Sequence, residues 1–172
     1  IDPLPLCPVR QDVVLFLLPD RLLQFSAEDQ DRPHSDVMLT AAQTRLEKFS
    51  AMTLSRDGGL WIAGARGLAK VSGPLRKLKP DSEWHDYLPP EPLEIRNLQE
   101  LHLDDQGTVT ALAESGTNQL KMLALFDGEH WSAEVVPIEK TRFAWRGPSK
   151  TDWAATINSF FEWEPGERDV VE

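Results

Sequence analysis

The chain has 172 residues, enough for one domain with a sizeable core, and a formal net charge of −10. That charge serves solubility and disfavours the phosphate backbone of nucleic acid as a partner. The single cysteine, Cys7, excludes an internal disulfide and fits cytosol or periplasm, and no apolar run of about 18 residues is present to span a membrane.

In chain order, residues 1–10 carry Pro3, Pro5 and Pro8 and read as an extended lead-in or a sheet edge, because proline removes ladder donors. The segment opens with neither Met nor a signal-peptide pattern, as expected of a mature product or an excised piece. Residues 11–27 read as a hairpin turning at Pro19-Asp20-Arg21, and 27–36 as a polar loop. Residues 37–44 read as an outer strand, and 39–49 is the one place for a short helix. The stretch from Asp57 to Val71 reads as an Asp-Gly-Gly turn, a Leu-Trp-Ile strand, a hairpin at Ala65-Arg66-Gly67 and a further strand, with 51–55 in front. An outer strand follows at 83–88, ended by Pro89-Pro90-Glu91-Pro92. Further strands are expected at 100–103, 109–113, 121–126 and 131–136. The last set is 142–145, 153–157 and 160–163, before an acidic tail.

These segments repeat. A step of 48 back from Trp61 reaches Val13 and a step of 48 forward reaches Val109, with Asp105 and Gly107 falling on Asp57 and Gly59. A further step of 44 reaches Trp153, and Trp84 and Trp131 lie 47 apart, each after a third strand. A period of this size, with several short strands per period, is the mark of a propeller or another stacked array. The expected architecture is all-β, a β-propeller-like array of about four four-stranded antiparallel blades in a single domain over 1–172. The repeat units are about 11–44, 51–88, 98–136 and 142–172. The first lacks a convincing inner strand and the last a clear outer one, so part of a larger propeller is favoured over a small closed one.

Residues 51–71 closely resemble the repeat of bacterial two-component regulator propellers, the sensor part of membrane histidine kinases and related receptors. The shared features are the Asp and Gly turn, the Leu60-Trp61-Ile62 strand, the Gly-Leu hairpin at 67–68 and the following strand. Leu103-Asp104-Asp105-Gln106-Gly107 and Phe126-Asp127-Gly128-Glu129-His130-Trp131 match it in part. The resemblance implies a non-catalytic sensor or partner-binding propeller of a bacterial signalling receptor, in the periplasm or outside the cell. Its partner would be a small ligand or a protein, and association with the rest of a larger propeller or as a dimer is implied as well.

The chemistry-bearing residues fit that expectation better than they fit an enzyme. Trp61 and its repeat partners are expected to pack between sheets, and Asp57 and Asp105 to close their own turns. His85 and His130 flank outer-strand tryptophans without a ligand set, so neither a metal nor any other cofactor is expected. No Gly-x-Ser-x-Gly elbow is present, and Arg76, Lys77 and Lys79 sit in an acidic, solvated loop. In a propeller, the hairpin between second and third strands shares a face with the connection into each first strand. That geometry selects Arg21, Arg66, Trp145 and Arg146 as ligand-binding candidates. The rival is Glu100, His102 and Asp104, which alternate along one strand and would share a channel-facing surface. An enzyme of the lyase or lactonase type, or a purely structural module, are the alternatives, and the first is disfavoured because only one unit offers such a set.

Overall fold

The computed structural model describes residues 4–29, 31–117 and 120–166. Strand accounts for 51% of the chain, and the strands form four antiparallel sheets, none of which closes on itself. The chain divides into two compact units, 1–88 and 89–172.

The first unit holds two four-stranded meanders. The first sheet is β1 (Leu6–Arg10), β2 (Val13–Leu17), β3 (Arg21–Ser26) and β4 (His34–Thr40). The proline-rich lead-in is therefore a paired edge strand, and the first unit has the inner strand that its sequence does not announce. Pro8 is accommodated beside a bulge, where the register shifts between Pro8 and Arg10. The outer strand begins at His34 rather than Val37, and the 39–49 segment holds one 3₁₀ turn, Ala41–Gln43. The second sheet is β5 (Phe49–Leu54), β6 (Leu60–Gly64), β7 (Leu68–Val71) and β8 (Trp84–Tyr87). The two sheets share one core, in which Leu15, Leu17 and Leu22 meet Leu60, Ile62 and Val71.

The second unit holds β9 (Ile95–Leu103), β10 (Val109–Ser115), β11 (Lys121–Phe126) and β12 (Trp131–Val135), and then the fourth sheet. That sheet has three strands among the described residues: β13 (Phe143–Arg146), β14 (Asp152–Ala155) and β15 (Phe160–Trp163). Part of the acidic tail, 167–172, lies outside the described residues. Leu112, Leu123 and Leu125 meet Ala144, Ala154 and Trp163 in this unit's core.

One turn recurs and fixes the register. In the second, third and fourth sheets the first strand passes to the second through five residues, 55–59, 104–108 and 147–151. The first residue's N–H reaches the fifth residue's carbonyl, and the fourth residue's N–H reaches the first residue's carbonyl. The fourth residue has positive φ in each: Gly58 at 79°, Gly107 at 94° and Lys150 at 65°. This alignment corrects the fixed 48-residue step. Trp153 is indeed the counterpart of Trp61, but Val109 corresponds to Leu60, and the counterpart of Trp61 in the third sheet is buried Thr110. In the first sheet the hairpin bonds of Leu18 with Arg21 match those of Gly64 with Gly67 and make Leu15, not Val13, the counterpart. Trp84 and Trp131 open the fourth strands of their sheets, opposite Val71 and Phe126, as their spacing predicts.

Close approach explains two glycines. A Cβ on Gly64 would meet the Lys48 carbonyl oxygen, and one on Gly67 the Tyr87 carbonyl oxygen, so neighbouring backbone occupies the space a side chain needs. Gly64→Ala is expected to destabilise the protein by about 1–3 kcal/mol, the usual cost of overpacking. A urea unfolding midpoint unchanged from wild type would contradict the packing described here.

Candidate functional site

The first unit places the connection 41–48 between two hairpins. Ala41 N–H donates to the Asp20 carbonyl at 2.8 Å, and Phe49 N–H to that of Pro19 at 2.8 Å. On the other side, Ala65 N–H donates to the Lys48 carbonyl at 3.1 Å. The connection is stiffened internally. Gln43 Oε1 accepts from the Thr40 N–H and hydroxyl, both at 2.8 Å, which caps the 3₁₀ turn. Thr44 Oγ1 donates to the Ala41 carbonyl and accepts from Leu46 N–H, while the Leu46 side chain is fully buried.

This arrangement leaves an open groove of about 550 Å³, lined by Ala41, Ala42, Thr44, Arg45, Glu47, Arg66 and Leu88. Arg66 Nη1 lies 3.4 Å from Glu47, and the Arg45 Nε lies 3.5 Å from Asp86, whose carboxylate also accepts the Arg45 backbone N–H at 2.8 Å. Both guanidiniums are largely exposed, with side-chain exposures of 45% for Arg66 and 68% for Arg45. Each contact uses one or two of five guanidinium donors, so the groove presents cationic donors beside an apolar wall. Sequence alone does not single out Arg45; the connection carries no motif, and only its confinement between two hairpins gives it a role.

The other ligand-binding candidates do not line this groove. Arg21 is spent on its neighbour Asp20, whose pKa is lowered first by this hydrogen bond. Arg146 does not belong to a hairpin loop: it ends β13 beside the 147–151 turn, at the opposite end of the sheet from the 156–159 hairpin. Its Nε and Nη2 hold both oxygens of fully buried Asp152 at 2.7 and 2.8 Å, and Nη2 holds Glu134 at 2.7 Å. Burial pushes the Asp152 carboxyl upward and Arg146 draws it back, while Asp152 first, and Glu134, hold Arg146 protonated. This is a structural ion triad. Trp145 stacks on Trp153, with centroids 6.5 Å apart and planes 12° apart.

The rival set is also dispersed. Register shifts by one residue between Gln99 and His102 relative to β10, with Glu100 at φ 52°, so the strand bulges inside the proposed alternation. Asp104 lies beyond β9, where its Oδ1 accepts the Gln106 and Thr108 N–H groups, each at 2.8 Å. Asp104, rather than Asp105, is therefore the turn-closing carboxylate. His102 packs its ring 6.0 Å from that of Trp145, and desolvation lowers its pKa. The structure thus brings His102 to an indole and not to a carboxylate. No group of three or more metal-type ligands occurs among the described residues.

Asp57 behaves as a turn residue. It is bonded to the Ser55 hydroxyl, accepts the Gly59 N–H at 3.1 Å and lies 3.3 Å from Lys70, whose ammonium stands over the Trp61 ring. No family model matches the chain, and no curated protein is significantly similar to it.

Both carboxylate systems can be probed through stability. Arg146→Ala strands a buried carboxylate and is expected to cost about 3–5 kcal/mol in a denaturant melt. Adding Asp152→Asn to Arg146→Ala removes the stranded charge and should recover part of the loss. Partial burial pushes the Asp57 pKa up, but Ser55, the Gly59 N–H and Lys70 outweigh it and lower the value from 3.8 to about 2. Its stabilising effect is therefore complete above the unfolded value near 3.8 and is lost as pH falls through about 2. Asp57→Asn should flatten the stability profile in that window and leave its shape near neutrality unchanged.

Proposed function

We propose that this chain is part of a β-propeller and acts as a non-catalytic binding module, the sensor portion of a bacterial signalling receptor outside the cytoplasm. Four short antiparallel meanders joined in sequence, with a recurring Gly turn and a Leu-Trp-Ile strand, support the propeller and its likeness to two-component regulator repeats. The observation that carries binding is the groove along 41–48, where Arg45 and Arg66 stand exposed beside Ala41, Ala42 and Leu88 on a backbone pinned from both sides. Arginine donors at the edge of an apolar wall suit a carboxylate-bearing ligand, either a small acid or an acidic side chain of a protein partner. Glu47 acts as the resting counter-ion of Arg66, displaced when a ligand carboxylate takes its place.

The reading is tested by a thermal-shift screen of small carboxylic acids and short acidic peptides, with hits confirmed by calorimetry. Binding is expected to fall at least tenfold in Arg66→Ala, to weaken in Arg45→Ala and to survive His102→Ala. A parallel screen for turnover supplies the opposing result: catalysis abolished by His102→Ala would replace the sensor reading with an enzyme.

A further inference from the structure

The charged groups at the 41–48 groove cancel: Arg45 is matched by Asp86, and Arg66 by Glu47. The two pairs differ in what can be moved. The Asp86 side chain is 15% exposed, and it accepts the Arg45 backbone N–H at 2.8 Å besides facing Arg45 Nε at 3.5 Å. Displacing it would break the bond that ties β8 to the connection. The Glu47 side chain is 63% exposed and meets Arg66 at 3.4 Å. A three-residue turn holds it there: Lys48 N–H donates to the Leu46 carbonyl at 2.9 Å, with Glu47 between them at φ 67°. Of the two guanidiniums, Arg66 is therefore the one that a ligand can free, and one carboxylate suffices.

Charge alone holds such a ligand weakly. An ion pair at a solvent-exposed arginine contributes a factor of only a few in affinity, and salt screens it. The remainder has to come from the apolar wall, where Ala42 is exposed, Leu88 half-buried and Ala41 buried. Each methylene that a ligand lays on apolar surface adds up to about fourfold in affinity. The groove's volume of about 550 Å³ is that of a small-molecule site. The net charge of −10 repels an acidic protein surface, with its many charges, far more than it repels a single carboxylate.

Resting on the carboxylate reading of this groove, we infer that its ligand is a small amphipathic monocarboxylic acid and that Glu47 sets this selectivity. The carboxylate takes the place of Glu47 on Arg66, and the hydrocarbon part lies on Ala41, Ala42 and Leu88. A diacid of the same length is disfavoured for two reasons. Its second carboxylate would lose water against the apolar wall. It would also meet Asp86, which stays in place, and Glu47, which leaves Arg66 but remains tethered by its turn, so like charges crowd the groove.

The test titrates isotope-labelled protein with acetate, butyrate, hexanoate and the diacid adipate at fixed ionic strength, and follows backbone amide chemical shifts. Shifts are expected in residues 41–48 and 65–67, with the dissociation constant falling about two- to fourfold for each added methylene. Adipate, which has the carbon count of hexanoate, is expected to bind about tenfold more weakly. Glu47→Gln keeps the length of the side chain and removes its charge. It should tighten hexanoate and narrow the gap to adipate by about threefold. The amide spectrum reports whether each variant is folded, and Glu47→Ala serves as the second variant. A dissociation constant that ignores chain length, adipate as tight as hexanoate, or a gap left unchanged by both variants overturns the monocarboxylate inference, while the carboxylate reading stands. No shift in the groove with any of the four acids overturns both.

Discussion

The five-residue turn between first and second strands is the constraint on which the rest depends. Its fourth residue must adopt positive φ, and its two backbone bonds then fix which residue opens the second strand. Side chains alternate across a strand, so a slip of one residue would exchange the buried and open faces of the whole sheet. With Gly58 in place, Leu60 and Ile62 enter the core of the first unit, and Trp61 goes to the opposite face beside Tyr87 and Lys70. Gly107 performs the same task in the third sheet. Lys150 does so in the fourth without glycine's freedom, at a backbone cost that the Arg146–Asp152 pair across the same turn helps to offset.

The fold is most legible in the sequence where backbone geometry demands a residue type. The Asp57-Gly58-Gly59 turn, the hairpin at Gly67 and the opening of outer strands by Trp84 and Trp131 follow from local chemistry. A fixed step fails wherever turn length varies. From Leu15 to Trp61 the chain advances 46 residues, so a step of 48 counted back from Trp61 overshoots Leu15 and reaches Val13. Asp104 and Asp105 cannot be told apart by type, since either carboxylate can close a turn; only the position of Thr108 N–H decides between them. The prolines of β1 outweigh its alternation in the sequence, and a bulge beside Pro8 is what reconciles the two.

The candidate site is legible only in part, because an arginine's role is set by what stands beside it. Arg146 and Arg66 look alike in sequence. One has a fully buried carboxylate and a second carboxylate in hydrogen-bond contact and serves the fold. The other has one long contact to an exposed glutamate and faces a groove. Asp152 faces Arg146 across a local turn, but nothing local predicts Glu134 as its second partner, since Glu134 reaches it from another sheet. Similarly, His102 gains its neighbour Trp145 from the following sheet, a contact that no strand pattern contains.

The register breaks near β1, β5 and β9 have a consequence of their own. Each of these strands is an edge of its sheet, and each carries at least one bulge; β9, the longest, carries two, with Asn97 and Glu100 at positive φ. A bulged edge cannot offer an unbroken row of amide donors and carbonyl acceptors to a foreign strand. Amyloid-like growth by strand addition is thereby discouraged along these edges, even in a crowded compartment rich in partly folded chains.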